Sequence, residues 1–174
     1  VGATPDGRRS GEVLTDSVGP AQGRDVHGPT AMLNSVTRLP LLMVKLHPAL
    51  TSLDGLAGLV EVGSIELENN EGVTTLAPLA GVGAIADNFT ITQMPGLSSL
   101  HGLQGVTSVA GRLTLSQNSG LMTLEGLDNL TLVGGDLTIA DNAILETLVH
   151  LAALGSVGGN MEISGSSLAS LEGL

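Results

Sequence analysis

The chain has 174 residues, no cysteine, a single aromatic residue (Phe89) and a formal net charge of -11. Without cysteine there is no disulfide, no thiolate nucleophile and no cysteine metal site, and with one aromatic side chain the core must be aliphatic and stacking on bases or sugars is nearly excluded. Residues 1–49 carry five Lys+Arg against four acids, whereas residues 50–174 carry one base, Arg112, against thirteen acids, a surface that repels phosphate backbones and disfavours nucleic acid.

In chain order, the first element is a head of residues 1–49. It holds five of the seven prolines and the turn segments Pro5-Asp6-Gly7, Gly19-Pro20 and Gly28-Pro29. That composition predicts a loop-rich, poorly structured segment, with Ala31–Val36 as a short strand or helical turn. A segment of this size and kind cannot bury a core alone. The chain starts at Val1, shows no charged segment followed by an apolar run and has no stretch of 18 apolar residues. No signal peptide and no membrane-spanning segment are therefore expected, and both ends read as truncated.

From Leu50 to Leu174 the sequence repeats every 23 or 24 residues, with units starting at Leu50, Val73, Leu97, Leu121 and Leu145 and a sixth beginning at Leu168. Each follows L-x-x-L-x-x-L-x-x-[LV]-x-x-V, a small-residue turn, then L-x-[LI]-x-x-N. The last element alternates with period two and reads as a strand with one buried face. Ile65/Leu67, Phe89/Ile91, Leu113/Leu115, Leu137/Ile139 and Met161/Ile163 are expected to point inward. Glu66, Thr90, Thr114, Thr138 and Glu162 are expected to point outward. Stacked coil on coil, such strands form a parallel sheet. The three-residue leucine spacing lacks helix formers and caps, so it reads as a second extended or turn-rich side. The predicted fold is thus mainly β, a parallel β-solenoid of five leucine-rich coils behind a loop-rich head.

The asparagine closing each strand, Asn70, Asn118 and Asn142, is expected to satisfy backbone groups at the turn and to stack as a structural ladder, with Met94 and Ser166 replacing it in two coils. The outward strand face, Glu66, Thr90, Arg112, Thr114, Asp136, Thr138 and Glu162, is the predicted binding surface. Threonine columns flanked by carboxylates suit a polar or cationic partner, but aromatic and arginine anchors are scarce. His27, His47, His101 and His150 show no metal-ligand spacing, and the stretch Val133–Asn142 fails the glycine-aspartate calcium pattern, so no metal is assigned. Asn88-Phe89-Thr90 and Asn129-Leu130-Thr131 are glycosylation sequons. No nucleophile–base–acid set and no phosphate loop is visible, so no catalytic residue and no cofactor is assigned.

Two resemblances follow from the wording. The stretches LTSLDGLAGL, LMTLEGLDNLTLVGGDLTIADN and LASLEGL resemble leucine-rich repeats, and more closely the receptor L-domain-like repeats of secreted and cell-surface proteins. That resemblance implies a module that binds proteins or glycans, or a spacer, at an extracellular or cell-surface location. The head, GATPDGRRSGEVLTDSVGPAQGRDVHGPTAMLNSVTRLP followed by LLMVKLHPAL, resembles a segment of the glycyl radical enzymes, the pyruvate formate-lyase and diol or choline lyase superfamily. That resemblance implies a cytoplasmic lyase of which this is an incomplete part. Its chemistry needs a cysteine and an R-V-x-G-Y motif, and the chain has neither cysteine nor tyrosine. The chain therefore divides into an enzyme-like segment, 1–49, and a leucine-rich solenoid, 50–174.

Overall fold

The computed structural model describes residues 36–174. They build a parallel β-solenoid. Its main sheet has six strands in the order β1 (Arg38–Lys45), β2 (Glu61–Glu68), β3 (Phe89–Thr92), β5 (Leu113–Ser116), β7 (Leu137–Ala140) and β9 (Met161–Ser164). The register advances one repeat per strand: Ile65 lies beside Phe89, Phe89 beside Leu113, Leu113 beside Leu137 and Leu137 beside Met161. Identical spacing is what lets each leucine column stack on itself, and alternation then buries one whole face of the sheet.

A second, three-stranded sheet, β4 (Ser108–Val109), β6 (Leu132–Val133) and β8 (Ser156–Val157), forms another side. Single bridges from Val62 to Ile85 and from Ile85 to Val109 carry that column back through the irregular second unit. Ile85 is buried, so the segment Gly83-Ala84-Ile85-Ala86-Asp87 keeps its inward residue despite its altered wording.

The third side, where leucines recur every three residues, is made of turns rather than extended chain. Asp54–Leu56, Ala77–Leu79 and Val149–Leu151 are single 3-10 turns. In the two coils between, Gly102 and Gly126 make the bend at φ 114° and 116°. A β-carbon at Gly126 would stand 2.1 Å from the carbonyl oxygen of Leu100, so both the dihedral and the close approach require glycine.

Leu76, Leu79, Leu97, Leu100, Leu103, Leu121, Leu124 and Leu127 are fully buried with the strand residues in one continuous aliphatic core. Met161 and Ile163 face the interior as expected, yet Met161 is 44% exposed because no further described strand lies over β9.

The sheet begins at Arg38, inside the span expected to be loop-rich, and not at Leu50. Composition concealed this strand because Pro40 reads as a breaker. β1 is an edge, however, where a missing N–H costs no ladder bond. It is held by Leu42, buried in the core, by Leu39 and Val44 packed against it, and by ion pairs at both ends. Arg38 pairs with Glu61, and Lys45 Nζ lies 2.8 Å from Glu66 and 3.1 Å from Glu68. The expected element at Ala31–Val36 lies, apart from Val36, outside the described residues, as does His27.

Candidate binding face

The outward side of the main sheet is organised in columns one strand apart, about 4.8 Å. Glu66, Thr90, Thr114, Thr138 and Glu162 occupy one column in direct register. The next outward column is Glu68, Thr92, Ser116, Ala140 and Ser164. There the hydroxyls of Thr92 and Ser116 bond each other at 3.0 Å. Among the described residues the hydroxyls of Thr90, Thr114 and Thr138 have no such partner and stay available to solvent.

Arg112 and Asp136 lie on the same side but in a third column, which runs from Ser64 within β2 through Asn88, Arg112, Asp136 and Asn160, each the residue before its strand. This column is a clamp. The Asn88 N–H donates to Ser64 Oγ at 3.4 Å, the Arg112 N–H to Asn88 Oδ1 at 2.9 Å, and the Asn160 N–H to Asp136 Oδ1 at 2.8 Å. Each short polar side chain thus accepts from the backbone of the following coil. The series is interrupted at Arg112, whose side chain is donor-only, and Leu41 of β1, in register with Ser64, has no acceptor either. The Arg112 Nε instead lies 3.5 Å from Asp136 Oδ2, in a pair whose side chains are 60% and 37% exposed.

At the other end of each strand the asparagines clamp in the opposite direction. Asn70 accepts from the His47 N–H at 3.1 Å and donates to the Val44 carbonyl at 2.8 Å. Asn118 accepts from the Met94 N–H at 3.0 Å and donates to the Ile91 carbonyl at 3.1 Å. Asn142 accepts from the Asn118 N–H at 3.1 Å and donates to the Leu115 carbonyl at 2.9 Å. These carboxamides bond the neighbouring coil's backbone, not one another. Where Met94 takes the position there is no carboxamide, and its sulfur lies 3.7 Å from Asn70 Nδ2, which also bonds Val44.

A further column escaped the sequence reading. The hydroxyls of Ser52, Thr75, Ser99, Thr123, Thr147 and Ser170 each accept from the backbone N–H two residues on, at 3.0–3.3 Å. The signal was present, since every unit has Ser or Thr just before its second leucine, but scattered hydroxyls in a Thr-rich chain draw no notice until aligned by coil. Such bonds close the turn that starts the leucine side.

Each Lys and Arg among the described residues is paired with a carboxylate. The Lys45 ammonium is pushed above its usual range, chiefly by the hydrogen bond to Glu66 and then by that to Glu68. On the turn side, His150 Nδ1 lies 2.6 Å from Asp128 Oδ1 and holds that carboxyl below the usual range, helped by the Gly126 N–H. His101 is exposed beside Gln104 and Glu125. Among the described residues no three of His, Asp and Glu converge as metal ligands. A shallow cavity of about 490 Å³ lies at the β1–β2 corner, lined by Arg38, Leu39, Pro40, Glu61, Val62 and Ala86 among others. Its two charged residues are paired with each other, and it holds no nucleophile. The chemistry open to the sheet face is recognition by hydroxyls, carboxylates and one guanidinium.

Comparison with known proteins is sparse. No protein-family model and no solved structure matches the chain. A probable dehydratase, YbiW of Escherichia coli, is 46% identical over 55 residues, 27% of this chain and 7% of its own length. The chain thus spans a small fraction of that protein. No helix among the described residues is long and apolar enough to cross a membrane.

Proposed function

We propose that residues 50–174 are a non-catalytic repeat module, of leucine-rich, receptor L-domain-like type, that binds protein or glycan through the outward sheet face or serves as a spacer. The observation carrying this reading is the rigid, in-register row Glu66, Thr90, Thr114, Thr138 and Glu162, with three hydroxyls unclaimed by other described side chains. A weak, multi-point interaction fits it, because the aromatic anchors that concentrate binding energy are absent. The test is a glycan and peptide array probed with the chain and with a Thr90→Val/Thr114→Val/Thr138→Val variant. Retention of every signal by the variant rejects the face as the binding surface.

A second reading is favoured by the dehydratase similarity. Under it, residues 1–49 are an incomplete piece of a glycyl radical enzyme of formate-lyase or dehydratase type, inactive in this form and joined to repeat sequence. The matched share, 27% of the chain, is the size of that head. Mass spectrometry of source cells, seeking a peptide that crosses Leu50 after cleavage before aspartates, decides between one fused protein and two misjoined ones.

A further inference from the structure

Both histidines of the repeats, His101 and His150, lie on the turn side, each against a side chain that closes a glycine bend. The bends are the buried Gly102 and Gly126, at φ 114° and 116°. No backbone carbonyl among the described residues accepts either glycine's N–H. The side chain two residues on does so instead: Gln104 Oε1 accepts from Gly102 at 2.9 Å, and Asp128 Oδ2 from Gly126 at 3.0 Å. That bond uses one end of a two-ended group, and in both coils the other end meets an imidazole. Gln104 Nε2 lies 2.7 Å from His101 Nδ1 of its own coil, whereas Asp128 Oδ1 lies 2.6 Å from His150 Nδ1 of the coil that follows.

The two rings hold their protons differently. A carboxylate only accepts, so His150 donates from Nδ1 whether neutral or charged. With Gln104 the roles reverse. Its oxygen is claimed by the Gly102 N–H, so the amide nitrogen faces the ring and can only donate, and His101 Nδ1 is an unprotonated acceptor. A proton arriving on Nδ1 sets donor against donor. Turning the carboxamide over gives no relief, because its NH2 would then oppose the buried Gly102 N–H and leave it stranded. The ring has to move, and an acceptor is in reach: Glu125 Oε1, on the next coil, lies 3.8 Å from the same Nδ1.

We infer that His101 is a pH-driven switch of the turn side, tied within its own coil to Gln104 when neutral and passed across to Glu125 of the next coil when protonated. Imidazole is the side chain whose charge changes between about pH 5 and 8. The ionisable groups facing the two rings are Glu125 and Asp128, both from the coil between them. The coil before His101 offers the uncharged stretch Leu76–Pro78, and in the coil after His150 Gly173 packs on Val149, with Glu172 next to it in the chain. Asp128, held below the usual carboxylate range by His150, stays ionised throughout. At the upper end of the range one histidine bridge, from Asp128 to His150, joins coils along this edge. At the lower end the bridge from His101 to Glu125 adds a second, and three successive coils are braced in series. Exposed pairs contribute little, so the change is one of local geometry with a small gain in stability.

The test is NMR of the isotopically labelled full chain at about pH 8 and about pH 5.5, the acid point lying above the usual range of carboxylates. At the higher pH, imidazole nitrogen shifts should show His101 protonated on Nε2 and His150 on Nδ1. In acid, the contacts of the His101 ring should pass from the Gln104 carboxamide to Glu125. Gln104→Glu copies the arrangement at Asp128 and should place the His101 proton on Nδ1 at both pH values. Glu125→Gln should leave the neutral tautomer unchanged, and its deficit in melting temperature should be about 1–3 °C larger in acid. A His101 ring already protonated on Nδ1 at the higher pH, or one that stays on Gln104 in acid, overturns the switch. Equal melting deficits for Glu125→Gln at both pH values overturn the transfer to Glu125, and with it the brace.

Discussion

Replacing Asn118 with alanine tests whether the coils are held by side-chain clamps as well as by apolar columns. The carboxamide is fully buried and bonds two backbone groups of the preceding coil, the Met94 N–H and the Ile91 carbonyl. Alanine strands the Met94 N–H in a dry interior, while the Ile91 carbonyl loses its second donor but stays in the ladder between β3 and β5. A stranded buried group costs about 1–3 kcal/mol, and a loss of that size is expected, less whatever one entering water recovers. The chain has no Trp or Tyr, so unfolding is followed by far-ultraviolet circular dichroism in urea rather than by fluorescence. In a linear repeat array the melt need not be two-state, and the loss should appear as earlier unfolding around the coil of Asn118. Asn118→Asp is the paired control: it keeps an acceptor for Met94, removes the donor to Ile91 and buries a charge, and should do no better than alanine. A change below about 0.5 kcal/mol for Asn118→Ala would refute the clamp, because it would place those backbone groups within reach of other partners.

Leu46 adopts φ 61° while 65% exposed, at the position where later coils carry Asn69, Gln93, Gln117, Asp141 and Gly165. Leu46→Asn should therefore stabilise the chain by about 1 kcal/mol in urea unfolding, and no gain contradicts strain at this turn. Asp128 has a depressed folded pKa, so its stabilising effect is present above the unfolded value of about 4 and disappears as pH falls through the lower folded value. Melting temperatures from pH 5 to 2 should fall less steeply for Asp128→Asn than for the parent, and parallel profiles refute the coupling to His150. Lys45 has a raised folded pKa, so its contribution is present below the unfolded value of about 10.4 and is lost as pH rises through the folded one. Lys45→Met should speed amide exchange in β1 relative to β5 at neutral pH. Unchanged exchange shows that packing of Leu42 alone seats the strand.

The repeat period and the alternation within it were enough to fix the solenoid, its inward residues and the outward threonine column. A strand's two faces follow directly from which positions are apolar, and a step of 23 or 24 residues leaves stacking in register as the solution that buries them. The asparagine column was visible for the same reason, since a polar residue recurring beside buried leucines must have a partner. Only the tertiary structure decided who that partner is: the backbone of the coil before, not the asparagine above. The Ser/Thr turn column and the clamp before each strand also emerged only when coils were laid side by side. Single hydroxyls or carboxamides carry no signal until the backbone N–H they face is known. Nor could the sequence place β1 in the sheet: it sits one 23-residue step before β2, but no leucine-rich unit precedes it and Pro40 reads as a break. Its seat depends on contacts with β2, Leu42 in the core and Lys45 between Glu66 and Glu68, which are non-local in the chain.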